Sequence, residues 1–262
     1  MRRTTTILLV ASATLAVACL DMSAPKGPAS ISVLQLPSGY VVRGDVMRDS
    51  AGAAAKLGVL AFDGDGKPIE DVQAQFFILD SNPAAHFDAS GTLVGDRLGS
   101  IRVIGQIGNL QTPLANIPVT LAPLTIAPVP VKDTLIAPLG PDSARSVGPK
   151  TISAIVHAVG DTGVQGVFVH FAITRTLASS SEAPAVYIGD VGKPSTTDTT
   201  DGSGNATRTL YVLSRRLADQ ALVAGTKLDT VIVQASATYK GAPLSGSPVQ
   251  IIVPVRVTIS IK

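Results

Sequence analysis

Asp198-Thr199-Thr200-Asp201-Gly202-Ser203-Gly204-Asn205 gathers two carboxylates, several hydroxyls and an amide oxygen in one short run. Oxygen donors of this kind suit a hard cation such as calcium, so Asp198, Asp201, Ser203 and Asn205 are the candidate cation ligands. No glutamate follows at the spacing of an EF-hand loop. Asx side chains also hold their own turns by accepting backbone N–H bonds, which accounts for the same residues without a metal. Arg43-Gly44-Asp45 is the tripeptide that integrin ligands display on exposed turns, and it is the candidate adhesion site. The plain alternative is a turn with Gly44 at the bend. His157 and His170 fall opposite in parity to the apolar residues beside them, and with His86 they read as solvated side chains. Serines are plentiful, yet none sits in a Gly-x-Ser-x-Gly elbow. There is no Gly-rich phosphate loop and no His-Glu-x-x-His. No catalytic residue, resident metal or cofactor is therefore expected.

Two stretches must position these groups. Val59 to Phe76 alternates Val59, Ala61 and Asp63, then Val72, Ala74 and Phe76, around Asp63-Gly64-Asp65-Gly66-Lys67-Pro68. Period-two alternation predicts half-buried strands, and the glycines and proline between them let the chain reverse at little cost. Val156 to Phe171 repeats the pattern, with Phe171 on Phe76, Val169 on Ala74 and Val167 on Val72. Downstream, Asp96-Arg97-Leu98-Gly99 parallels Asp201-Gly202-Ser203-Gly204, each ahead of another strand. Two signals in the same order predict one module used twice. Phe76 and Phe171 are assigned to the core. Arg208 shares the parity of Ala206, Leu210 and Val212, and so calls for a bulge or a strand end open to water.

Asp-x-x-Gly-x-Pro-Ile-x-Asp-Val-x-Ala-x-Phe from Asp63 to Phe76, followed by a second Asp-x-x-Gly turn, resembles the bacterial immunoglobulin-like domain of invasin/intimin-type surface proteins. The resemblance covers about residues 30–124 and, with a shorter turn, 128–258. It implies an all-β fold of two tandem antiparallel Ig-like β-sandwiches, and a spacer, stalk or adhesin role rather than an enzymatic one.

Met1-Arg2-Arg3 followed by the uncharged run Thr4 to Ala18 reads as a cleavable signal peptide, since a membrane span needs about 20 apolar residues. Leu15-Ala16-Val17-Ala18-Cys19 resembles a bacterial lipobox, which implies lipid on Cys19 and a membrane as partner. This is the chain's single cysteine, so internal disulfides and thiolate metal sites are excluded. Without Arg2 and Arg3 the formal charge of +2 disappears, and a neutral chain carries no electrostatic footprint for nucleic acid. Tryptophan is absent and Phe and Tyr make 4% of the chain, which leaves few rings for stacking on sugars or bases. The expected organisation is signal peptide 1–18, tether 19–30, first sandwich 31–122, proline-rich linker 123–131 and second sandwich 132–262. The expected function is that of a non-enzymatic cell-envelope lipoprotein, in the outer membrane or at the cell surface, acting as a spacer or as an adhesion or interaction module. A protein or glycan is its surface partner. A glycan- or calcium-binding module using Leu177–Thr200, and an accessory subunit of an envelope enzyme, stand as alternatives.

Overall fold

A computed structural model describes residues 27–70, 72–140, 146–180, 182–190 and 193–259. The signal sequence and Cys19 lie outside the described residues. The first half runs β1 (Ser30–Gln35), β2 (Val41–Val42), β3 (Gly58–Phe62), β4 (Pro68–Ile69) and β5 (Gln75–Ile78). It continues with β6 (Ala85–Phe87), β7 (Leu93–Gly95), β8 (Gly99–Ile107), β9 (Leu110–Gln111) and β10 (Ala115–Thr120). The second half runs β11 (Thr125–Val129), β12 (Leu135–Leu139), β13 (Val147–His157), β14 (Phe168–Arg175), β15 (Val186–Asp190), β16 (Lys193–Pro194) and β17 (Thr197–Thr199). After these come β18 (Asn205–Leu213), the single-turn helix α1 (Gln220–Val223), β19 (Asp229–Ser236), β20 (Thr238–Tyr239), β21 (Ala242–Pro243) and β22 (Val249–Ile259). The described chain is thus nearly all β, as the alternation of valine-rich segments predicts. Among the described residues no helix is long and apolar enough to cross a membrane.

The chain divides into two compact units, the smaller drawing on residues up to Gln35, Gly58–Phe77 and Ile104–Leu114. Its sheet runs β1-β3-β4, with Ser30 opposite Phe62 and Ala61 opposite Ile69. The end of β8 folds back on β9 as a hairpin. Ala61, Gly105 and Thr112 are its fully buried residues, and Ile31, Leu34, Val59, Phe62 and Phe76 are half-buried.

The larger unit comprises Leu36–Leu57, Ile78–Val103 and Ala115–Lys262. Its two main sheets face each other in the orders β11-β13-β18-β15-β16 and β12-β22-β19-β14-β17. β12 joins β22 in parallel, while the other ladders of these two sheets are antiparallel. Inward residues alternate along the central strands: Val231, Val233 and Ala235 of β19 lie beside Val253, Ile251 and Val249 of β22. Phe171, Ile152, Leu210 and Leu222 of α1 fill the same core. Each such side chain contributes about 1.5–3 kcal/mol of burial. Tyr40 and Val42 enter this core from Leu36–Leu57. In the same unit β10 runs parallel to β2 and antiparallel to the start of β8, burying Val41, Met47, Ile101, Ile117 and Val119.

Three expectations change. Pro123 to Val131, expected as a connector, contains β11, hydrogen-bonded along β13 from Thr125–His157 to Val129–Ser153. Its prolines are tolerated because β11 is an edge strand, where a missing N–H leaves no ladder partner unsatisfied. Arg208 occupies an unbroken ladder with β13 rather than a bulge. Finally, β8 lies between β10 and β5, the place that β19 takes between β22 and β14, so the strand after Asp96 corresponds to β19 and not to β18.

Candidate functional site

The most strongly perturbed ionisable groups of the described residues surround Asp45. The chain leaves β2 with the Arg43 N–H donating to the Thr120 carbonyl, at 2.9 Å, and turns through Gly44 at φ +77°. Asp45 is thereby aimed inward, with its side chain 13% exposed. Arg48 grips both carboxylate oxygens, Nε at 3.0 Å from Oδ2 and the terminal nitrogen at 2.8 Å from Oδ1. The Val46 N–H donates to Oδ1 at 2.9 Å, the Tyr239 hydroxyl donates to Oδ2 at 2.7 Å, and Lys240 Nζ lies 3.0 Å from Oδ2. Burial alone would raise the Asp45 pKa, but the hydrogen bonds from Arg48, Tyr239, Lys240 and Val46 outweigh it and hold the carboxyl well below the usual carboxylate range. Desolvation and the neighbouring Asp45 charge push the Tyr40 hydroxyl up to about 12 and raise Tyr239 as well.

The partners of Asp45 come from the hairpin β20–β21. Lys240 and Gly241 form its two-residue loop, with φ of +52° and +75°, the positive pair that a twist-matched type I′ hairpin turn requires. The tip of this hairpin meets Gly52 so closely that a Cβ there would lie 2.3 Å from the Gly241 nitrogen. A second backbone crossing joins Gly39 to Gly166, where a Cβ on Gly39 would lie 2.8 Å from the Gly166 oxygen. Between them lies a cavity of about 70 Å³, lined in part by Tyr40, Val42, Arg48, Phe168 and Tyr239. Ligand pockets of roughly 300–1,000 Å³ hold small molecules, so this space suits ordered water. An ionised carboxylate fixed by four donors is a poor base, and chemically the arrangement is a clamp.

The remaining candidates are placed separately from it. Arg43 and Gly44 are exposed, but Asp45 presents its carboxylate to Arg48, Tyr239 and Lys240 rather than to solvent. Asp198 lies in β17 and forms an ion pair with Arg208 at 3.3 Å, while its other oxygen accepts the Thr207 N–H at 2.7 Å. Arg208 also donates to the Thr197 carbonyl. This arginine therefore keeps its inward parity and reaches from β18 to β17 of the facing sheet, which is how the chain accommodates it. Asp201 Oδ1 accepts the Ser203 and Asn205 N–H groups at 2.8 and 3.0 Å. Among the described residues no three His, Cys, Asp or Glu side chains gather as they would around a metal ion. His157 and His170 fall on different sheets, and His86 pairs with Asp96 at 2.8 Å.

The Asp201 loop has three twins. Asp49, Asp63 and Asp88 each accept, on one carboxylate oxygen, the N–H groups two and four residues later. In all four loops a glycine three residues on takes positive φ and donates to the Asp carbonyl. Asp96-Arg97-Leu98-Gly99 has the same spacing but does not close. Its carboxylate goes to His86, its N–H donates to the Ala84 carbonyl at 2.8 Å, and Gly99 opens β8. The clamp residues Tyr239 and Lys240 carried one sequence signal, the Lys-Gly pair between short β segments.

No protein-family model matches the chain, and no curated protein matches it. Among solved structures, domains 4 and 5 of the S-layer protein SbsC align with 88% of this chain and 100% of theirs, at 14% identity and a TM-score of 0.30. The Yersinia pseudotuberculosis adhesin InvE aligns over 87% of this chain and 57% of its own, at 14% identity and 0.34. Escherichia coli alpha-2-macroglobulin aligns over 88% and 14%, at 13% identity and 0.29. At these TM-scores none of the three lends this chain a function.

Proposed function

We propose that the protein is a non-enzymatic module of the bacterial cell envelope, anchored through lipid on Cys19, in which Ig-like sandwiches serve as a stiff spacer and interaction surface. The clamp at Asp45 supports this reading most directly. Its strongly shifted carboxyl accepts from Tyr239 and pairs with Lys240, tying Leu36–Leu57 to the hairpin β20–β21, and the cavity lined by Tyr40 and Tyr239 is of water size. Enzymes place such groups in clefts that admit substrate. Here the same physics fixes backbone to backbone, which is what a load-transmitting module needs. Binding to a protein or glycan would then fall to exposed loops and sheet edges.

Metabolic labelling with a clickable palmitate analogue tests the anchor. Wild-type protein is expected to take the label and Cys19→Ala to lose it, and protease added to intact cells is expected to cut the wild type. Unlabelled wild-type protein, or full protection from protease in cells whose known surface proteins are cut, would reject the surface-anchored reading.

A further inference from the structure

We propose that Tyr187 and Tyr211 form an oxidative modification site, a phenol pair that a one-electron oxidant couples into a dityrosine bond between β15 and β18. The strand register sets the pair up. Tyr187 lies directly opposite Tyr211, and the residues on either side, Val186 and Ile188 on β15 with Leu210 and Val212 on β18, are buried in the core of the larger unit. Side chains alternate along a strand, so both rings stand on the other face of the sheet. There they stack, with centroids 5.0 Å apart and planes 16° from parallel. Rotation about χ1 and χ2 closes the remaining gap between ring carbons, and Tyr187, half-buried, is placed to make it.

The composition of the chain directs oxidation to this pair. Cysteine, tryptophan, methionine and tyrosine are the side chains that give up one electron most readily. The chain has no tryptophan, Cys19 lies outside the described residues, and Met47 is fully buried. Of the other two tyrosines, Tyr239 has Lys240 Nζ 5.4 Å from its ring centroid, and a cation over the ring opposes loss of an electron. Tyr40 shares the Asp45 clamp with it. Tyr187 is reachable from solvent, while Tyr211, 8% exposed, is reached through its stacked neighbour. The same burial of Tyr211 disfavours coupling to a second chain.

Each phenol loses one electron and its hydroxyl proton, leaving a phenoxyl radical with spin on the ring carbons ortho to oxygen. Two ortho carbons, one from each ring, join in a new C–C bond, and the hydrogen on each moves to its oxygen to restore the phenols. The pair gives up two electrons and two protons in all. Hydrogen peroxide acting through a haem peroxidase takes them and is reduced to two waters. A chain with a single cysteine has no internal disulfide, and this bond constrains the unfolded chain as a disulfide does.

Purified full-length protein treated with hydrogen peroxide and a haem peroxidase tests the site. The expected product is a monomer two hydrogens lighter, with dityrosine fluorescence and a Tyr187–Tyr211 crosslinked peptide in its digest. Tyr187→Phe and Tyr211→Phe should each lower the fluorescence of the monomer at least tenfold, and Tyr40→Phe should leave it unchanged. Because Phe keeps the ring, the loss reports the missing phenol rather than lost packing. Coupling between chains only, a crosslink at Tyr40 or Tyr239, or undiminished product in either Phe variant at the pair would overturn the proposal. So would no product under conditions that couple free N-acetyltyrosine.

Discussion

The two halves of the molecule use one strand plan and fill it differently. In the second half, opposed sheets seal Phe171 completely, among buried valines at alternate positions along β19 and β22. In the smaller unit of the first half, Ala61 is the fully buried hydrophobic side chain, and Phe76, the counterpart of Phe171, is half-buried. The sheet orders give the reason. β13 is flanked by β11 and by the nine-residue β18, whereas β3 is flanked by β1 and the two-residue β4. A matching alternation therefore specifies which side faces inward, and the length of the neighbouring strands decides how much cover that side receives.

The sharpest way to break this comparison is to truncate the two phenylalanines. Phe171→Ala removes a ring from a closed core and should cost about 3–5 kcal/mol. Phe76→Ala leaves a gap that water already borders and should cost about 1–2 kcal/mol. Urea unfolding of the two variants measures both, and equal losses would show that the halves are equally packed.

Next comes Gly52→Ala. Ala pays about 1–2 kcal/mol for positive φ, and its Cβ meets the backbone at Gly241, 2.3 Å away, with no flexible side chain to yield. We expect a loss of about 3 kcal/mol by urea unfolding. An unchanged midpoint would mean that the hairpin tip does not bear on Leu36–Leu57. Asp45→Asn should cost about 2 kcal/mol at neutral pH, because it strips the charge from every hydrogen bond that the carboxylate accepts. The folded carboxyl titrates below its ordinary value, so its contribution is complete above about pH 5 and disappears as the pH falls through the lowered pKa. The stability gap between wild type and Asp45→Asn should accordingly shrink from about pH 5 towards pH 2. A constant gap would remove the clamp.

Much of the plan was legible in the sequence because strand parity is a local property. The strands through Val59 and Ala61, through Val156, and through Val169 and Phe171, together with the inward placement of Phe171, all follow from alternation. β11 was hidden because its prolines read as a connector, and only the edge position supplied by the fold makes them acceptable. The clamp was equally hidden. Arg43-Gly44-Asp45 drew notice as a tripeptide, but Tyr239 and Lys240 lie almost two hundred residues away, and no local spacing links them to Asp45. Arg208 stood out in the sequence as an anomaly at an inward position, but a bulge or an open strand end was the remedy it suggested, and the pairing with Asp198 of the facing sheet depends on the fold.

The smallest effect separates two turns that share a spelling. Asp201 and Asp96 each precede a glycine by three residues, yet Asp201 holds two backbone N–H groups of its own loop and Asp96 holds none. Asp201→Ala leaves the Ser203 and Asn205 N–H groups to water and frees the loop, which should lower Tm by roughly 2–4 °C. Asp96→Ala breaks an exposed pair with His86, worth little in water, and should move Tm by less than about 1 °C. Calorimetry on the two variants reads the difference directly. Equal shifts would mean that closure of the loop, the feature distinguishing four of these aspartates from the fifth, adds nothing to the stability of the fold.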